Sequence, residues 1–463
     1  MTENKTYGIN LKEKIGYAFG DFGCTLSFSL VGSLLQKFYT DILLLPAASI
    51  TLLFLIARLW DAVNDPLWGR IVDTIKPTKS GRYRKWMLIF ALPLGVSTVL
   101  MFMKIPGLTQ KQYLIYAYIT YILYGMLYTC ANIPYGSLAS VITTDEKERS
   151  VLSIFRSVGS GVGGLPAMVL AGLVFVTVTV NGEQITQMDY NKLLLGVGVI
   201  SALSAFIFYL SYKWTRERVI PSAVTAKKQK MFSWALLKNL FMNRPLMILC
   251  LASMLLITAQ MFMASFYIYI FDDYFVKPGL YTLTTVCSYA PMGIIMFFVP
   301  KIVEKIGKKE ICALGALLSA LSNFILFVIK THNPYVFLVF AFISGCGLSF
   351  FALLVWALVT DVIDYHKYRR GCEDEATCYS FFSFTRKLGH TLAGVLATQA
   401  LVIIGYEGAK EVQDKFTVTQ MYNIGVFIPA LLFFAMFAAL WFFYPLSKKK
   451  LKELEAEKNQ LLK

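Results

Sequence analysis

The segment MYNIGVFIPALLFFAMFAALWFFYP, residues 421–445, contains no charged side chain. About 20 apolar residues at 1.5 Å per residue are enough to cross the ~30 Å hydrocarbon core of a bilayer. A second uncharged run lies at Leu88–Met103, and hydrophobic residues make up 57% of the chain while charged residues make up 16%. Soluble domains are roughly half apolar and about a quarter charged. The chain is therefore predicted to be an all-α polytopic membrane protein.

Apolar segments of this kind recur along the whole chain. The predicted spans, numbered one to twelve, are 15–38, 47–69, 86–104, 113–141, 151–180, 192–212, 245–271, 280–303, 311–330, 335–360, 376–404 and 421–444. The predicted organisation is an N-terminus (1–14), a first six-helix bundle (15–212), a central loop (213–244), a second six-helix bundle (245–444) and a tail (445–463). These loops leave no room for the soluble output domain of a membrane sensor.

Lysine and arginine are distributed unevenly between the two sides of this arrangement. Of the 44, 32 fall in the N-terminus, the loops after even-numbered spans and the tail, 8 fall on the other side, and 4 lie within spans. Because cytoplasmic loops are enriched in these residues, both termini are predicted to lie in the cytoplasm, with the protein in the inner cell membrane. The same bias explains most of the +16 net charge, so nucleic-acid binding is not needed to account for it.

The two predicted bundles resemble each other. The second span ends in Arg70-Ile-Val-Asp73 and the eighth in Lys301-Ile-Val-Glu304, each before a basic loop. Two six-helix halves related by a repeat are typical of the major-facilitator fold, in which the solute binds between the halves. We therefore predict that fold.

Seven charged side chains lie in the interior of the predicted spans, away from the span ends, where each is unfavourable unless it faces a partner or a water-filled cavity. They are Asp21, Arg58, Asp61, Asp65, Arg156, Arg386 and Lys387. A solute or ion site accounts for such residues, and so does a network of ion pairs that only holds helices together. Both interpretations stay open at this point.

The second span has a pattern typical of a cation site. Arg58, Asp61 and Asp65 are spaced at i, i+3 and i+7 and share one helix face, with Asn64 nearby. Two carboxylates one turn apart repel each other unless a proton or a cation is held between them. Pro66 interrupts the backbone hydrogen bonding and leaves carbonyl oxygens as further ligands. A sodium ion or a proton is predicted at Asp61 and Asp65.

Several motifs resemble the glycoside–pentoside–hexuronide:cation symporters. They are Gly20-Asp-Phe-Gly23, Phe38-Tyr-Thr-Asp41, Arg58-Leu-Trp-Asp-Ala-Val-Asn-Asp-Pro66, Asn132-Ile-Pro-Tyr-Gly-Ser137 and Phe384-Thr-Arg-Lys-Leu-Gly389. The resemblance covers essentially the whole chain. It implies a secondary active symporter that imports a glycoside with a sodium ion or a proton by alternating access.

The melibiose carriers of this family bind the coupling cation through two aspartates and an asparagine on the second helix and a threonine on the fourth. The matching positions here are Asp61, Asn64, Asp65 and Thr129. The resemblance also matches Lys387 with a lysine linked to coupling, and Arg58 and Arg156 with buried arginines.

The sugar-recognition positions depart from the melibiose carriers. Thr25 and Asn132 replace two acids that recognise sugar hydroxyls, and Gly136 replaces a tryptophan. The chain looks closer to the glucuronide carriers of the family, for example at Asn243-Arg-Pro-Leu246 and Tyr444-Pro-Leu-Ser447. A glucuronide or other hexuronide is the predicted solute, and a neutral xyloside or galactoside is the alternative.

Loss of two acids and retention of basic residues favour an anionic solute. The predicted solute-binding residues are Asp21, Thr25, Tyr128, Asn132, Arg156, Trp356, Ser383 and Lys387. Tyr128 and Trp356 offer rings for stacking, although most aromatic side chains in such a protein pack helices or face lipid. Neighbouring residues on a helix diverge by about 100°, so Arg386 and Lys387 face different ways. The family match favours Lys387 for the cavity, and Arg386 is predicted to tie its helix to a neighbour.

Two other sequence features are predicted not to bind a ligand. Gly159-Ser-Gly-Val-Gly-Gly164 fits a nucleotide-binding pattern, but it lies in an apolar helix and predicts close helix packing. Asp361 and Asp364 are predicted to form gate salt bridges with Arg369 or Arg370. The chain lacks a nucleophile–base pair, a metal triad and a P-loop. It is therefore predicted not to be an enzyme and to bind no cofactor or structural metal, and its transport is predicted to be driven by an ion gradient. The protein is also predicted to be a monomer whose partners are a sugar and the lipid bilayer.

Overall fold

The computed structural model describes residues 9–75, 78, 81–180, 183–218, 239–277, 280–370, 374–406 and 414–461. Helices dominate these residues. They are α1 (Leu11–Lys37), α2 (Ala47–Thr74), α3 (Arg84–Met101), α4 (Gln110–Ile142), α5 (Glu146–Val174), α6 (Tyr190–Trp214), α7 (Arg244–Tyr269), α8 (Tyr281–Ile295), α9 (Val299–Ile306), α10 (Lys308–Ile329), α11 (Pro334–Arg370), α12 (Glu375–Ile403), α13 (Lys415–Ala438) and α14 (Lys448–Leu461). An antiparallel hairpin pairs β1 (Phe175–Val180) with β2 (Glu183–Met188).

Each of the twelve predicted spans overlaps a helix, and the eighth overlaps two. Within the described residues, eight helices are long and apolar enough to cross a membrane, and the bent pair α8–α9 raises that number to nine. The remaining three spans, α2, α5 and α12, contain 28, 29 and 29 residues. At 1.5 Å per residue, each exceeds the ~30 Å hydrocarbon core. The prediction of a multi-pass membrane protein is confirmed.

Three of the predicted spans, the fifth, the eighth and the tenth, differ most from the observed helices. Span five was predicted to reach residue 180, but α5 ends at Val174 and Phe175–Val180 forms β1. The alternating Val and Thr residues of β1 favour a strand, and Asn181-Gly182 is a sequence typical of hairpin turns. Span eight was predicted as one helix, but α8 and α9 meet at 73°. Pro300 in the first turn of α9 favours a new helix start there.

The tenth span extends much further than predicted, because α11 continues to Arg370 rather than ending at residue 360. The added turns carry Asp361 and Asp364 within the helix instead of at its end. The described ion pairs of these two residues are made with basic residues of other helices.

Contacts divide the described residues into two compact units. The first unit draws on Met1–Phe232 and Ile363–Phe384, and the second on Ser233–Val362 and Thr385–Lys463. In the first, α1 packs along α5 and α6, while α3 packs along α4 and α6. In the second, α13 packs along α7 and α10. The first unit thus combines α1–α6 with the adjoining ends of α11 and α12.

Small residues bring α1 and α5 together inside the first unit. A β-carbon on Gly159 would overlap the carbonyl oxygen of Ala18, and one on Gly163 would lie 2.8 Å from that of Phe22. Both contacts are too short for any residue but glycine. The glycine-rich motif therefore packs helices, as predicted.

The first helices of the two predicted bundles end in the same way. A π-helical turn, Phe38–Ile42, follows α1, and another, Ile270–Tyr274, follows α7. Each is followed by a non-glycine residue in the left-handed region, Leu44 at φ 54° and Val276 at φ 51°. This conformation is uncommon outside glycine, so its recurrence at equivalent places is a structural counterpart of the sequence repeat.

Candidate solute and cation sites

Arg156 of α5 lies against Asp21 of α1 in the interior of the first unit. Its Nε and Nη2 atoms are 3.2 Å and 3.1 Å from Oδ1 of Asp21. Arg156 is only 1% exposed. A charge buried this deeply is tolerated when an ionised partner also hydrogen-bonds to it. Two of the predicted solute-binding residues therefore form an ion pair with each other.

Aromatic rings cover the Arg156 guanidinium. Its central carbon lies 4.7 Å from the ring centroid of Tyr135 and 5.5 Å from that of Tyr379, both within cation–π range. Nη2 also donates a 2.7 Å hydrogen bond to the Tyr379 hydroxyl. Tyr135 is held in turn by Tyr17, because its hydroxyl donates to the Tyr17 carbonyl at 2.8 Å.

Sequence reasoning missed Tyr135 and Tyr379. Tyr379 lies one turn before Ser383, which was predicted to bind solute. The sequence feature that marks space for these two rings is a pair of glycines, Gly20 and Gly136. A β-carbon on Gly20 would overlap the ring of Tyr135, and one on Gly136 would overlap the ring of Tyr379. Nothing in the sequence alone says which ring fills the space beside each glycine.

The acids of α2 face α4. Thr129 Oγ1 donates a 2.7 Å hydrogen bond to Oδ1 of Asp65, which is 1% exposed. Oδ1 of Asp61 lies 3.6 Å from the place that a β-carbon on Gly125 would occupy. Arg58 pairs with the other oxygen of Asp61, with Nη1 and Oδ2 3.6 Å apart. Three of the four predicted cation-binding residues therefore meet where α2 packs on α4.

Asn64, the fourth predicted cation-binding residue, immediately precedes Asp65 on α2. Its amide nitrogen is buried and lacks a hydrogen-bond partner among the residues that the structure describes. Buried polar atoms without partners are uncommon in folded proteins. A half-turn of the amide exchanges nitrogen and oxygen, and an oxygen in this place fits the chemistry of a cation ligand.

Three further predicted solute-binding residues lie on α1 and α4. Thr25 Oγ1 hydrogen-bonds Ser160 Oγ of α5 at 3.0 Å. Tyr128 is half-buried, with its ring centroid 5.7 Å from that of Phe28. Asn132 is buried one turn further along α4. The structure thus places all three in the first unit, on the helices that also carry Asp21 and Thr129.

The predicted residues of α11 and α12 fall in both units. Ser383 belongs to the first unit, whereas Trp356, Arg386 and Lys387 belong to the second. The Arg386 guanidinium carbon lies 4.9 Å from the Trp356 ring centroid. Arg386 therefore ties α12 to α11, and its guanidinium covers a ring that was predicted to stack on sugar. Lys387 is half-buried on α12.

The family model described as MFS/sugar transport protein matches residues 16–448. The chain is 35% identical to the symporter YjmB of Bacillus subtilis (strain 168), over 86% of this chain and 84% of that one. It is 30% identical to the glucuronide carrier protein homolog of Escherichia coli (strain K12), over 96% and 94%. It is 28% identical to the isoprimeverose transporter of Lactiplantibacillus pentosus, over 97% and 92%. The chain belongs to the glycoside–pentoside–hexuronide:cation symporter family.

A solved structure supports the fold of this symporter family member. The major facilitator superfamily transporter FucP, in its outward conformation, superposes with a TM-score of 0.66 and covers 94% of this chain and 99% of its own. Sequence identity is 14%, so the likeness bears on the fold alone. The predicted major-facilitator fold is confirmed.

The protein also has a buried polar cluster that the sequence reasoning did not identify, where α2 ends and α12 begins. Asp73 accepts hydrogen bonds from the backbone N–H groups of Ala376 and Thr377 at 2.9 Å and 2.8 Å, and from the Thr377 hydroxyl at 2.7 Å. Arg70 Nη1 lies 2.6 Å from Oδ1 of Asp374. Asp73 thus caps the helix that carries Tyr379 and Ser383.

Tyr83, in the loop before α3, extends this cluster. Its hydroxyl lies 3.4 Å from Oδ1 of Asp73 and 3.3 Å from Oε2 of Glu375. Burial, and then the carboxylates of Glu375 and Asp73, raise the pKa of the Tyr83 hydroxyl well above its usual range. The hydroxyl therefore stays protonated and donates to the carboxylates.

Asp361 and Asp364, predicted to pair with Arg369 or Arg370, are each paired with a basic residue of another helix, and the side chain of Arg370 lies outside the described residues. Nζ of Lys308 lies 2.5 Å from Oδ2 of Asp361, and Nη1 of Arg149 lies 2.6 Å from Oδ2 of Asp364. Since α11 continues to residue 370, Arg369 lies eight residues, about 12 Å, along the same helix from Asp361. The predicted pairs required this helix to end near residue 360, so that a loop could bring Arg369 or Arg370 back to the two acids.

Proposed function

We propose that this chain is a secondary active symporter that imports a glycoside together with a sodium ion or a proton by alternating access. The observation that carries the proposal is the double contact made by α4 within the first unit. Thr129 hydrogen-bonds Asp65 of α2, and the Tyr135 ring covers Arg156 of α5. These positions are six residues apart, about 9 Å along the helix. A cation bound at Asp65 and a solute bound at Arg156 would therefore both be linked to the same helix, α4.

We favour a glucuronide or another hexuronide as the solute. Its carboxylate has to leave water, which is unfavourable by several kcal/mol unless a cation receives it. Arg156 and Lys387 can act as receivers, while Thr25 and Asn132 offer hydrogen bonds without repelling an anion. Similarity to a glucuronide carrier homolog supports the same class.

A neutral glycoside or pentoside, such as a xyloside or a galactoside, is the alternative. Asp21 already neutralises Arg156 at 3.1 Å, and an anionic solute would have to compete with that carboxylate. The hydroxyl groups of a neutral sugar could instead bond to both members of the ion pair. Similarity to an isoprimeverose transporter supports this alternative.

We favour sodium over a proton as the coupling ion. Asp61, Asn64, Asp65 and Thr129 supply four oxygen-bearing side chains, whereas a proton needs only one carboxylate. Thr129 donates its hydrogen to Asp65 and retains lone pairs that could coordinate a cation. The transporter would then need no further cofactor.

We also propose that the protein acts as a monomer in the inner cell membrane, with both termini in the cytoplasm. The 32-to-8 distribution of lysine and arginine supports this orientation. In the same orientation, the Asp73–Thr377 cluster and the Arg149–Asp364 ion pair lie toward the cytoplasm.

Purified protein in sealed proteoliposomes tests this function with three solutes that share one aglycone: phenyl β-glucuronide, phenyl β-glucoside and phenyl β-xyloside. Each is offered with an inward sodium gradient, an inward proton gradient or no gradient. We expect gradient-dependent accumulation of the glucuronide. A glucuronide carried with one cation moves no net charge, so the ion gradient itself is the driving force: a ten-fold gradient supplies about 1.4 kcal/mol, or roughly ten-fold accumulation.

The possible results separate the alternatives. Preference for the glucoside or the xyloside would replace the hexuronide proposal with the neutral alternative. Uptake that is driven by a proton gradient and does not depend on sodium would show that the coupling ion is a proton. Failure to accumulate any glycoside under either gradient would contradict the symporter itself.

A further inference from the structure

Tyr379 of α12 occupies the space beside Gly136 of α4 in the first unit. A β-carbon on Gly136 would overlap three atoms of the Tyr379 ring, Cζ, Cε1 and Cε2. Tyr379 is 1% exposed, so its ring is packed against its neighbours. The ring therefore fills the volume that a side chain at position 136 would take.

The hydroxyl of Tyr379 contributes a second contact. It accepts the 2.7 Å hydrogen bond from Nη2 of Arg156. A hydroxyl that accepts from a cation keeps its own hydrogen to donate, and the neighbouring charge polarises it into a better donor. The hydroxyl of Tyr379 thus both orients Arg156 and can donate to an oxygen atom itself.

The position of this contact connects it to the solute site. On α12, Tyr379 lies one turn before Ser383 and two turns before Lys387. On α4, Gly136 lies one turn after Asn132. Residues at i and i+4 are neighbours on a helix surface. The contact between Tyr379 and Gly136 therefore adjoins the predicted solute-binding residues on both helices.

We infer that Tyr379 is a specificity-determining residue of the solute site, an inference that rests on the proposed glycoside transport. Its ring limits the size of the solute group that fits beside Gly136. Its hydroxyl positions Arg156 and donates to an acceptor oxygen of the solute, for which a carboxylate is the best match. Tyr379 therefore favours acidic glycosides over neutral ones of the same aglycone.

Replacing Tyr379 by phenylalanine keeps the ring and removes the hydroxyl. We expect the preference for phenyl glucuronide over phenyl glucoside, measured as the ratio of their uptake KM values, to fall about ten-fold, the size expected for one hydrogen bond to a charged group. Tyr113→Phe is the matched control. It removes the hydroxyl of a different buried tyrosine, on α4, which donates to the Ile105 carbonyl at 2.6 Å.

A purely structural role predicts a different pattern, namely equal weakening of both solutes with an unchanged ratio. That result for Tyr379→Phe would overturn the inference. Absence of any glycoside uptake by the wild-type protein would overturn the proposed function and this inference with it. Uptake by the wild type with an unaltered preference in Tyr379→Phe would overturn the inference alone.

The occupied space beside Gly136 can be tested without transport. We expect Gly136→Ala to lower the melting temperature of the detergent-solubilised protein, because the new β-carbon meets the Tyr379 ring. In Gly136→Ala/Tyr379→Ala the ring is gone, so the combined loss should be smaller than the sum of the two single losses. Strictly additive losses would show that the ring does not fill this space.

Discussion

Thr129 Oγ1 donates a 2.7 Å hydrogen bond to Oδ1 of Asp65 and so joins α4 to α2 inside the first unit. A buried carboxylate is stable only when it is hydrogen-bonded or paired, and Asp65 is 1% exposed. The threonine oxygen keeps lone pairs after donating its hydrogen. In the proposed cation site, oxygen atoms of these two residues would coordinate the ion together with Asp61, one turn away on α2.

The acids of α2 should be required for accumulation but not for passage of the solute. Asp65→Asn and Asp61→Asn each remove a negative charge that a cation needs, so uptake against a gradient should be abolished while solute exchange persists in part. Accumulation and counterflow in vesicles measure the two processes separately. Asp145→Asn, in the link between α4 and α5 and outside the site, is the control. Unchanged accumulation in either α2 variant would remove that residue from the cation site.

Some of this site could be predicted from the sequence because its geometry is local. The spacing of Arg58 and Asp61 on one helix fixes their proximity, and the structure pairs them at 3.6 Å. The pairing of Arg156 with Asp21 could not be predicted in this way. These residues are 135 positions apart, and only the packing of α5 on α1 brings them together.

The fold was predictable for the same reason, since long apolar runs report helices directly. The errors arose where the pattern was ambiguous. Phe175–Val180 is apolar enough to extend a helix, yet its alternating Val and Thr residues form a strand. The polar residues of α11 beyond 360 look like a loop, although they continue the helix and supply Asp361 and Asp364 to partners elsewhere in the chain.

The neighbours Arg386 and Lys387 should have separable roles. Lys387→Gln should weaken uptake of a glucuronide ten-fold or more, since a hydrogen bond between charged groups is worth about 1.5–3 kcal/mol. It should affect the matching neutral glycoside far less. Arg386→Gln removes the contact with Trp356 and should lower thermal stability without changing the preference. An equal loss of both solutes in Lys387→Gln would assign this lysine to ion coupling instead of solute recognition.

Capping by Asp73 should stabilise the start of α12. Asp73→Ala removes the acceptor for two backbone N–H groups and the Thr377 hydroxyl, so it should destabilise the protein by about 1–2 kcal/mol. The melting temperature in detergent measures the loss. Asp189→Ala is the matched control, because Asp189 caps α6 from a half-buried position whereas Asp73 is buried. Equal effects of the two substitutions would argue against a special role for the buried cap.

The orientation in the membrane can be tested with single cysteines in a cysteine-free background. Ser222→Cys, in the predicted central loop, should be protected from a membrane-impermeant thiol reagent in intact cells. Gln413→Cys, before α13, should be labelled. Both positions lie outside the described residues, so this prediction comes from the distribution of basic residues alone. Labelling of position 222 from outside the cell would reverse the proposed orientation.

The most direct test of symport is whether the solute drives the ion. Proteoliposomes containing the wild-type protein are equilibrated without any ion gradient, and phenyl glucuronide is then added outside while internal sodium and pH are recorded. Inward movement of the solute should carry sodium inward with it, and Asp65→Asn should eliminate this ion movement. Entry of the glucuronide into wild-type vesicles with no accompanying movement of sodium or protons would contradict the account.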